Sequence, residues 1–287
     1  MSGRLALVVI AALAAVVALV ASVTGQPTAS STSPLVADVY PSSRPAGLMV
    51  TSGGWAYCEQ MRPVARRTRH TLLCGRYARD GYLGPGLRAK RQLDWGNAAY
   101  LARLATAAAR LHGRIGGDLI LIGVSYSGFG VASLAAHHPE LQADRLIVID
   151  SYFDLVRRRR ALPNAHETAL EIDREAGTSN ASLRRRSPSP DQLARLVRAG
   201  TRLTVVWTIS DDERRRFAGV TCDREASAGT LSEIARRLEE PVPGWVTRGK
   251  HGRNLWRHGV AIVRGFNPGQ KFLFFPDSVP DGSYCRS

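Results

Sequence analysis

Gly123-Val124-Ser125-Tyr126-Ser127-Gly128 is the segment of this chain whose residue types and spacing best suit covalent chemistry. It stands directly between the apolar run 119–123 and a small-residue helical stretch reaching His137. A serine at a sharp strand-to-helix turn is forced into strained backbone angles. The residues two before it and two after it must therefore be small. The turn also lifts the hydroxyl clear of the sheet, beside helix N-terminal amides that favour developing negative charge. Around Ser125 those neighbours are Gly123 and Ser127. Placing Ser127 at the apex would put Phe129 at a position that must be small, so Ser125 is the candidate nucleophile.

This segment resembles the nucleophile elbow of the α/β-hydrolase superfamily, with Ser127 standing where that family usually has glycine. The resemblance extends from about residue 48 to residue 259 and implies an order of serine, acid and histidine along the chain. His251, in Gly249-Lys250-His251-Gly252, is similar to the family's histidine loop ahead of the final helix. His258 falls inside that helix. His137 and His138 end the helix after the elbow, ~15 Å or more from Ser125. For the acid, Asp211 follows the strand-like run 203–207 at the family offset, with Asp212 beside it as a first alternative. Asp150, after the run 145–149, is the alternative used by some family members. The resemblance also implies oxyanion donors: the amide of Tyr126, and that of Gly54 or Trp55 in Gly53-Gly54-Trp55.

These residues need elements to position them, and the sequence supplies a pattern. Apolar runs at 47–51, 71–74, 119–123, 145–149, 203–207 and 245–247 read as strands. Helical stretches at 57–65, 97–111, 128–137, 230–238 and 255–263 lie between and beyond them. Leu101, Leu104, Ala108 and Leu111 mark one face of the second, and Thr230 with Glu233 forms a capping-box signature on the fourth. Alternation at this spacing predicts an α/β fold: a mostly parallel central sheet with helices on both faces. Residues 151–190 are polar with broken periodicity, apart from a helical stretch at 164–175. They fit an excursion above the sheet, where the superfamily inserts its lid. No Gly-x-Gly-x-x-Gly loop follows a strand, so a nucleotide cofactor is unsupported, and no metal or organic cofactor is expected.

The 287 residues suit one domain, read as residues 41–287. Ahead of it, residues 5–23 form an uncharged run after Arg4, ~28 Å long as a helix and close to a bilayer core in thickness. Residues 1–25 are thus read as a signal peptide or an N-terminal membrane anchor, and residues 26–40 as a Ser/Thr/Pro-rich linker. Arg4 on the short side places the body of the protein outside the cytoplasm, released or tethered by residues 5–23. In an oxidising compartment Cys58, Cys74, Cys222 and Cys285 allow three pairings, of which Cys58–Cys74 with Cys222–Cys285 is preferred.

The formal charge of +15 arises from 39 Lys and Arg against 24 Asp and Glu. Runs at 157–160 and 184–186 carry no interleaved aromatics and no nucleic-acid-binding motif. A basic surface facing an anionic envelope therefore fits better than a nucleic-acid partner. The combined reading is a serine hydrolase acting on a small or lipid-like acyl ester. The alternatives are a peptidase or acyltransferase with the same residues, and a catalytically silent binding protein on the same scaffold.

Overall fold

The structure is a computed structural model, and it describes residues 35–77, 94–209, 229–248, 253–266 and 269–275. Its elements in chain order are β1 (Leu35–Tyr40), β2 (Gly47–Thr51), α1 (Gly54–Thr68), β3 (His70–Tyr77), α2 (Ala98–Ile115), β4 (Asp118–Val124) and α3 (Tyr126–His137). Then follow β5 (Arg145–Ile149), α4 (Leu155–Arg160), α5 (Glu167–Ala176), α6 (Asn180–Arg186), α7 (Pro190–Arg198) and β6 (Arg202–Ile209). The last are α8 over residues 229–238, β7 (Val242–Arg248), α9 (Arg253–Val263) and β8 (Gln270–Phe274). The strands form one eight-stranded sheet in the order β1-β3-β2-β4-β5-β6-β7-β8. Strands β2 to β7 are mutually parallel, and β1 and β8 are antiparallel edges.

β4 reads as a continuous apolar run because both of its faces are covered. Leu119 and Leu121 join a core built with α2, α3, α7 and α8. Ile120, Ile122 and Val124 join the opposite core, with Met61 and Val64 of α1 and Leu255 and Ile262 of α9. Alternate side chains thus fasten helices to both faces, as the sequence pattern predicts. Arg145, buried at the start of β5, donates to the carbonyls of Ile262 and Val263 at the end of α9. Those terminal carbonyls have no partner within their own helix.

The structure differs from the sequence reading at the margins. Residues 35–40, assigned to the linker, form β1 and pair from Leu35↔Tyr77 to Tyr40↔Leu72. An edge strand needs only one neighbour and one covered face, so its pattern is weak. β8 escapes for the same reason, with Phe272 and Leu273 substantially exposed. α7 is also unforeseen, although Ser189 and Gln192 make a complete capping box that the sequence displays. α2 continues through Gly113 to Ile115, four residues beyond its expected end.

Cys58 of α1 and Cys74 of β3 are bonded, with Cα atoms 5.7 Å apart and both residues fully buried. This is the first of the two expected pairs; Cys222 and Cys285 lie outside the described residues. Cross-linking across 16 positions removes loop-closure entropy from the unfolded chain. Cys58→Ala/Cys74→Ala is therefore expected to lose about 3 kcal/mol, read from the shift in urea midpoint. An unchanged midpoint would show that packing alone fixes α1 against β3.

Between β5 and β6 the chain folds into the four helices α4 to α7. The side chains of Asp154, His166, Ser179 and Ser189 cap their N-termini. Leu155, Val156, Ala169, Ile172 and Leu183 from this region pack with Trp95, Tyr126, Phe129 and Tyr152. The excursion therefore rests on an aromatic group that includes the residue directly after Ser125.

Candidate active site

β4 turns into α3 through Ser125, whose backbone stands at φ 54°, ψ −127°. A β-carbon makes positive φ unfavourable, so the surrounding contacts must hold it. The Ser125 N–H donates to the Ile149 carbonyl at 2.8 Å, and its own carbonyl accepts from the Gly128 N–H at 3.0 Å. A β-carbon on Gly123 would lie 2.2 Å from the Ser127 carbonyl oxygen and 2.5 Å from the Gly128 nitrogen. One on Gly128 would lie 2.6 Å from the Ser151 Cβ. Ser127 is fully buried, and its Oγ accepts from the Val124 N–H at 2.9 Å. Its hydroxyl is thus used inside the turn, whereas Ser125 is only partly covered.

Two helix N-termini meet at this edge. Tyr126 is the first residue of α3, so its amide has no carbonyl within the helix to serve. α1 begins at Gly54, after Gly53 at φ 94°. β2 and β4 are adjacent and parallel, so both helices start from the same sheet edge. Gly53 touches Tyr126: a β-carbon there would stand 2.7 Å from the tyrosine ring. The amides of Tyr126, Gly54 and Trp55 thus belong to neighbouring helix starts.

Of the candidate acids, Asp150 is described. It follows β5, is buried, and has φ 49°. Its carboxylate accepts from the Thr208 N–H and, at 2.7 Å, from the Thr208 hydroxyl. Val124 and Ile149 are register partners, so Ser125 and Asp150 leave adjacent strands side by side. Asp211, Asp212 and His251 lie outside the described residues. The strands before them, β6 and β7, are parallel to β4 and end at the same edge. His137 is the last residue of α3, at the end away from Ser125, and burial lowers its pKa below the ordinary histidine value. His258 sits half-buried within α9.

One group at this edge was not singled out from the sequence. Asp94 is 1% exposed and accepts from the Ser52 hydroxyl at 3.2 Å and the Gly96 N–H at 2.8 Å. The Tyr126 hydroxyl accepts from the N–H of Trp95, the next residue, at 2.9 Å, and its phenol feels the Asp94 charge. The Tyr100 hydroxyl lies 3.3 Å from Ser52 Oγ. Burial pushes the Asp94 pKa above the ordinary carboxylate value, and the bonds from Tyr126, Gly96 and Ser52 hold it back. The Tyr126 phenol is raised well above its usual range, by burial first and by the Asp94 charge second. An aspartate three residues before the helix cap Asn97 reads as ordinary turn chemistry, which hides it in the sequence.

At the other edge of the sheet, a groove of about 750 Å³ is lined by Arg44, Arg62, Arg66, Arg69 and His70. Arg62 pairs with Glu59 at 3.0 Å and lies over the Tyr40 ring. No group of three or more His, Cys, Asp or Glu among the described residues is arranged to hold a metal ion. No helix among them is long and apolar enough to cross a membrane.

A six-stranded parallel core flanked by antiparallel edges, with a serine held at positive φ between β4 and its helix, is the α/β-hydrolase fold. Solved structures carry the same architecture. An acylaminoacyl peptidase from Pyrococcus horikoshii superposes with a TM-score of 0.53 at 11% identity, over 88% of this chain and 42% of its own. The glycosylation-associated Gap123 complex from Streptococcus agalactiae gives 0.53 at 15% identity, over 80% and 43%. A puromycin-hydrolysing peptidase from Mycobacterium tuberculosis gives 0.50 at 16% identity, over 76% and 34%. This chain thus corresponds to less than half of each of these structures. No protein-family model and no curated protein matches the chain.

Proposed function

We propose that this protein is a serine hydrolase cleaving carboxylic esters through an acyl-enzyme. The observation that carries the reading is Ser125 at φ 54° between β4 and α3, with Ser127 buried beneath it. His251 takes the proton from Ser125 Oγ as that oxygen attacks the ester carbonyl, and Asp211 orients the imidazole. The amides of Tyr126 and of Gly54 or Trp55 hold the oxyanion. Collapse breaks the ester C–O bond, His251 returns its proton to the departing alkoxide, and water releases the acyl group by the same steps. For the acid, Asp150 is a second reading, favoured by its burial and its place beside the Ser125 strand. The substrate is a small or lipid-like acyl ester. The body of the protein is placed outside the cytoplasm, a reading supported by the Cys58–Cys74 disulfide.

A fluorophosphonate probe tests the assignment, with the labelled peptide mapped by mass spectrometry beside a panel of short and long acyl esters. We expect one label, on Ser125, and turnover of at least one ester class. Labelling at Ser127 would move the apex of the elbow. A folded protein that neither labels nor turns over any acyl substrate would favour a silent scaffold. Peptide and acyl-acceptor substrates in the same panel separate hydrolysis of esters from peptide cleavage and acyl transfer.

A further inference from the structure

We propose that Asp94 is a positioning residue that holds the two halves of the oxyanion pocket in register; this rests on the hydrolase reading of Ser125. Its carboxylate reaches both loops that carry the proposed donors. On one side it accepts from Ser52, the residue between β2 and Gly53, directly before Gly54 and Trp55. On the other it faces Tyr126, whose phenol feels the Asp94 charge and accepts from the N–H of the adjacent Trp95 at 2.9 Å, and whose own amide is the first donor. Tyr100 extends the link, its hydroxyl 3.3 Å from Ser52 Oγ.

The surroundings are shaped to admit this cluster. A β-carbon on Gly130 would fall 2.5 Å from Ser52 Oγ, and one on Gly75 would fall 2.6 Å from the Tyr100 hydroxyl. Gly53 leaves room for the Tyr126 ring. Arg186, from the excursion, donates to the Asp94 carbonyl at 3.2 Å and ties the same segment from above. An ionised carboxylate only accepts, and this one takes the Ser52 hydroxyl from another segment and the Gly96 N–H from its own. A buried carboxylate exacts a large desolvation penalty unless such bonds satisfy it. That penalty opposes any shift of Ser52 that would leave Asp94 short of a donor, and the Trp95 N–H bond ties Tyr126 to the same segment. The two helix starts are therefore coupled through one buried atom group rather than set independently.

Donors that engage only the tetrahedral intermediate lower the barrier without strengthening substrate binding. Displacing them should therefore reduce kcat and leave KM in place. With the best ester found for the full chain, Asp94→Asn is expected to reduce kcat roughly 10²-fold, as ångström-scale misplacement of reacting groups does, with KM within about twofold. Phosphonylation of Ser125 should slow in parallel. Tyr126→Phe and Ser52→Ala each remove one hydroxyl from the cluster and keep its bulk. Each should lower kcat about tenfold or more, and Asp94→Asn combined with Tyr126→Phe should fall well short of the product of the two losses. If Asp94→Asn does not fold, these two variants carry the test alone. Thr201→Ala breaks a buried bond to the Ala143 carbonyl away from this edge and serves as a control. It should lower the melting temperature with kcat unchanged, separating general loosening from misplacement. A raised KM with normal kcat would assign Asp94 to the substrate pocket and overturn the proposal. So would an unchanged or increased kcat in Asp94→Asn. A wild-type protein without labelling or turnover would remove the hydrolase reading itself, and the proposal with it.

Discussion

Ser125→Ala is expected to abolish fluorophosphonate labelling and lower ester turnover by roughly 10⁶-fold, the loss seen when a serine nucleophile is removed from an intact triad. Ser127→Ala is expected to keep a large part of both. The two hydroxyls are two residues apart, yet their environments differ. The Ser125 backbone is forced to φ 54°, and its side chain leaves the turn only partly covered. Ser127 is fully buried and accepts from the Val124 N–H. Removing that acceptor strands a buried amide, which costs about 1–3 kcal/mol of stability but no nucleophile. His251→Ala should reduce turnover ~10³-fold or more, since loss of the base leaves oxyanion stabilisation and binding alone. Asp211→Asn should cost more than Asp150→Asn, because the Asp150 carboxylate already serves Thr208 at two atoms. The reverse order would move the acid to the end of β5. Kinetics of the five purified variants, each checked for a cooperative thermal transition, decide among these outcomes.

The central sheet was legible because β4, β5 and β2 are covered on both faces and leave continuous apolar runs. The elbow was legible because steric demand at a strained turn is local and fixes residue size within five positions. β1 and β8 were not, since each owes its place to a single neighbouring strand rather than to its own periodicity. Asp94 was hidden for a different reason. Ser52, Tyr100 and Tyr126, the residues clustered around it, lie 42, 6 and 32 positions away, so nothing in the local sequence distinguishes it from a turn aspartate. A buried polar cluster is defined by tertiary closure, and only coordinates reveal it.

The basic character of the chain finds a partial account in the fold. The run at 157–160 forms most of α4, and Arg159 is bound by Asp173 of α5 at 2.7 Å, an internal use of one of its charges. Arg186 is likewise turned inward, toward the Asp94 and Trp95 carbonyls. Arg44, Arg66 and Arg69 converge instead on the groove at the far edge of the sheet. Part of the cationic excess thus builds the excursion over the elbow. Other arginines among the described residues, Arg67 and Arg110 among them, are exposed to solvent.

Gly123→Ala is expected to remove activity and to destabilise the fold by several kcal/mol, whereas Gly128→Ala should do less and be rescued in part. The added carbon at Gly123 would stand 2.2 Å from the Ser127 carbonyl oxygen and 2.3 Å from its carbonyl carbon. Both atoms belong to the first turn of α3, and Gly123 itself pairs with Val148 in the centre of the sheet. Neither side can yield without moving a central strand or the helix that carries Tyr126. Overpacking a buried site typically costs about 1–3 kcal/mol, and more where backbone must shift. At Gly128 the near atoms are Cβ and Oγ of Ser151, 2.6 and 2.8 Å away. A side chain can be shortened, so Gly128→Ala/Ser151→Gly should recover stability that Gly128→Ala loses. Denaturant titration of the three variants, with fluorophosphonate labelling rates, tests the difference. A fully active, fully stable Gly123→Ala would mean that β4 and α3 do not meet at the close approach on which the assignment of Ser125 depends.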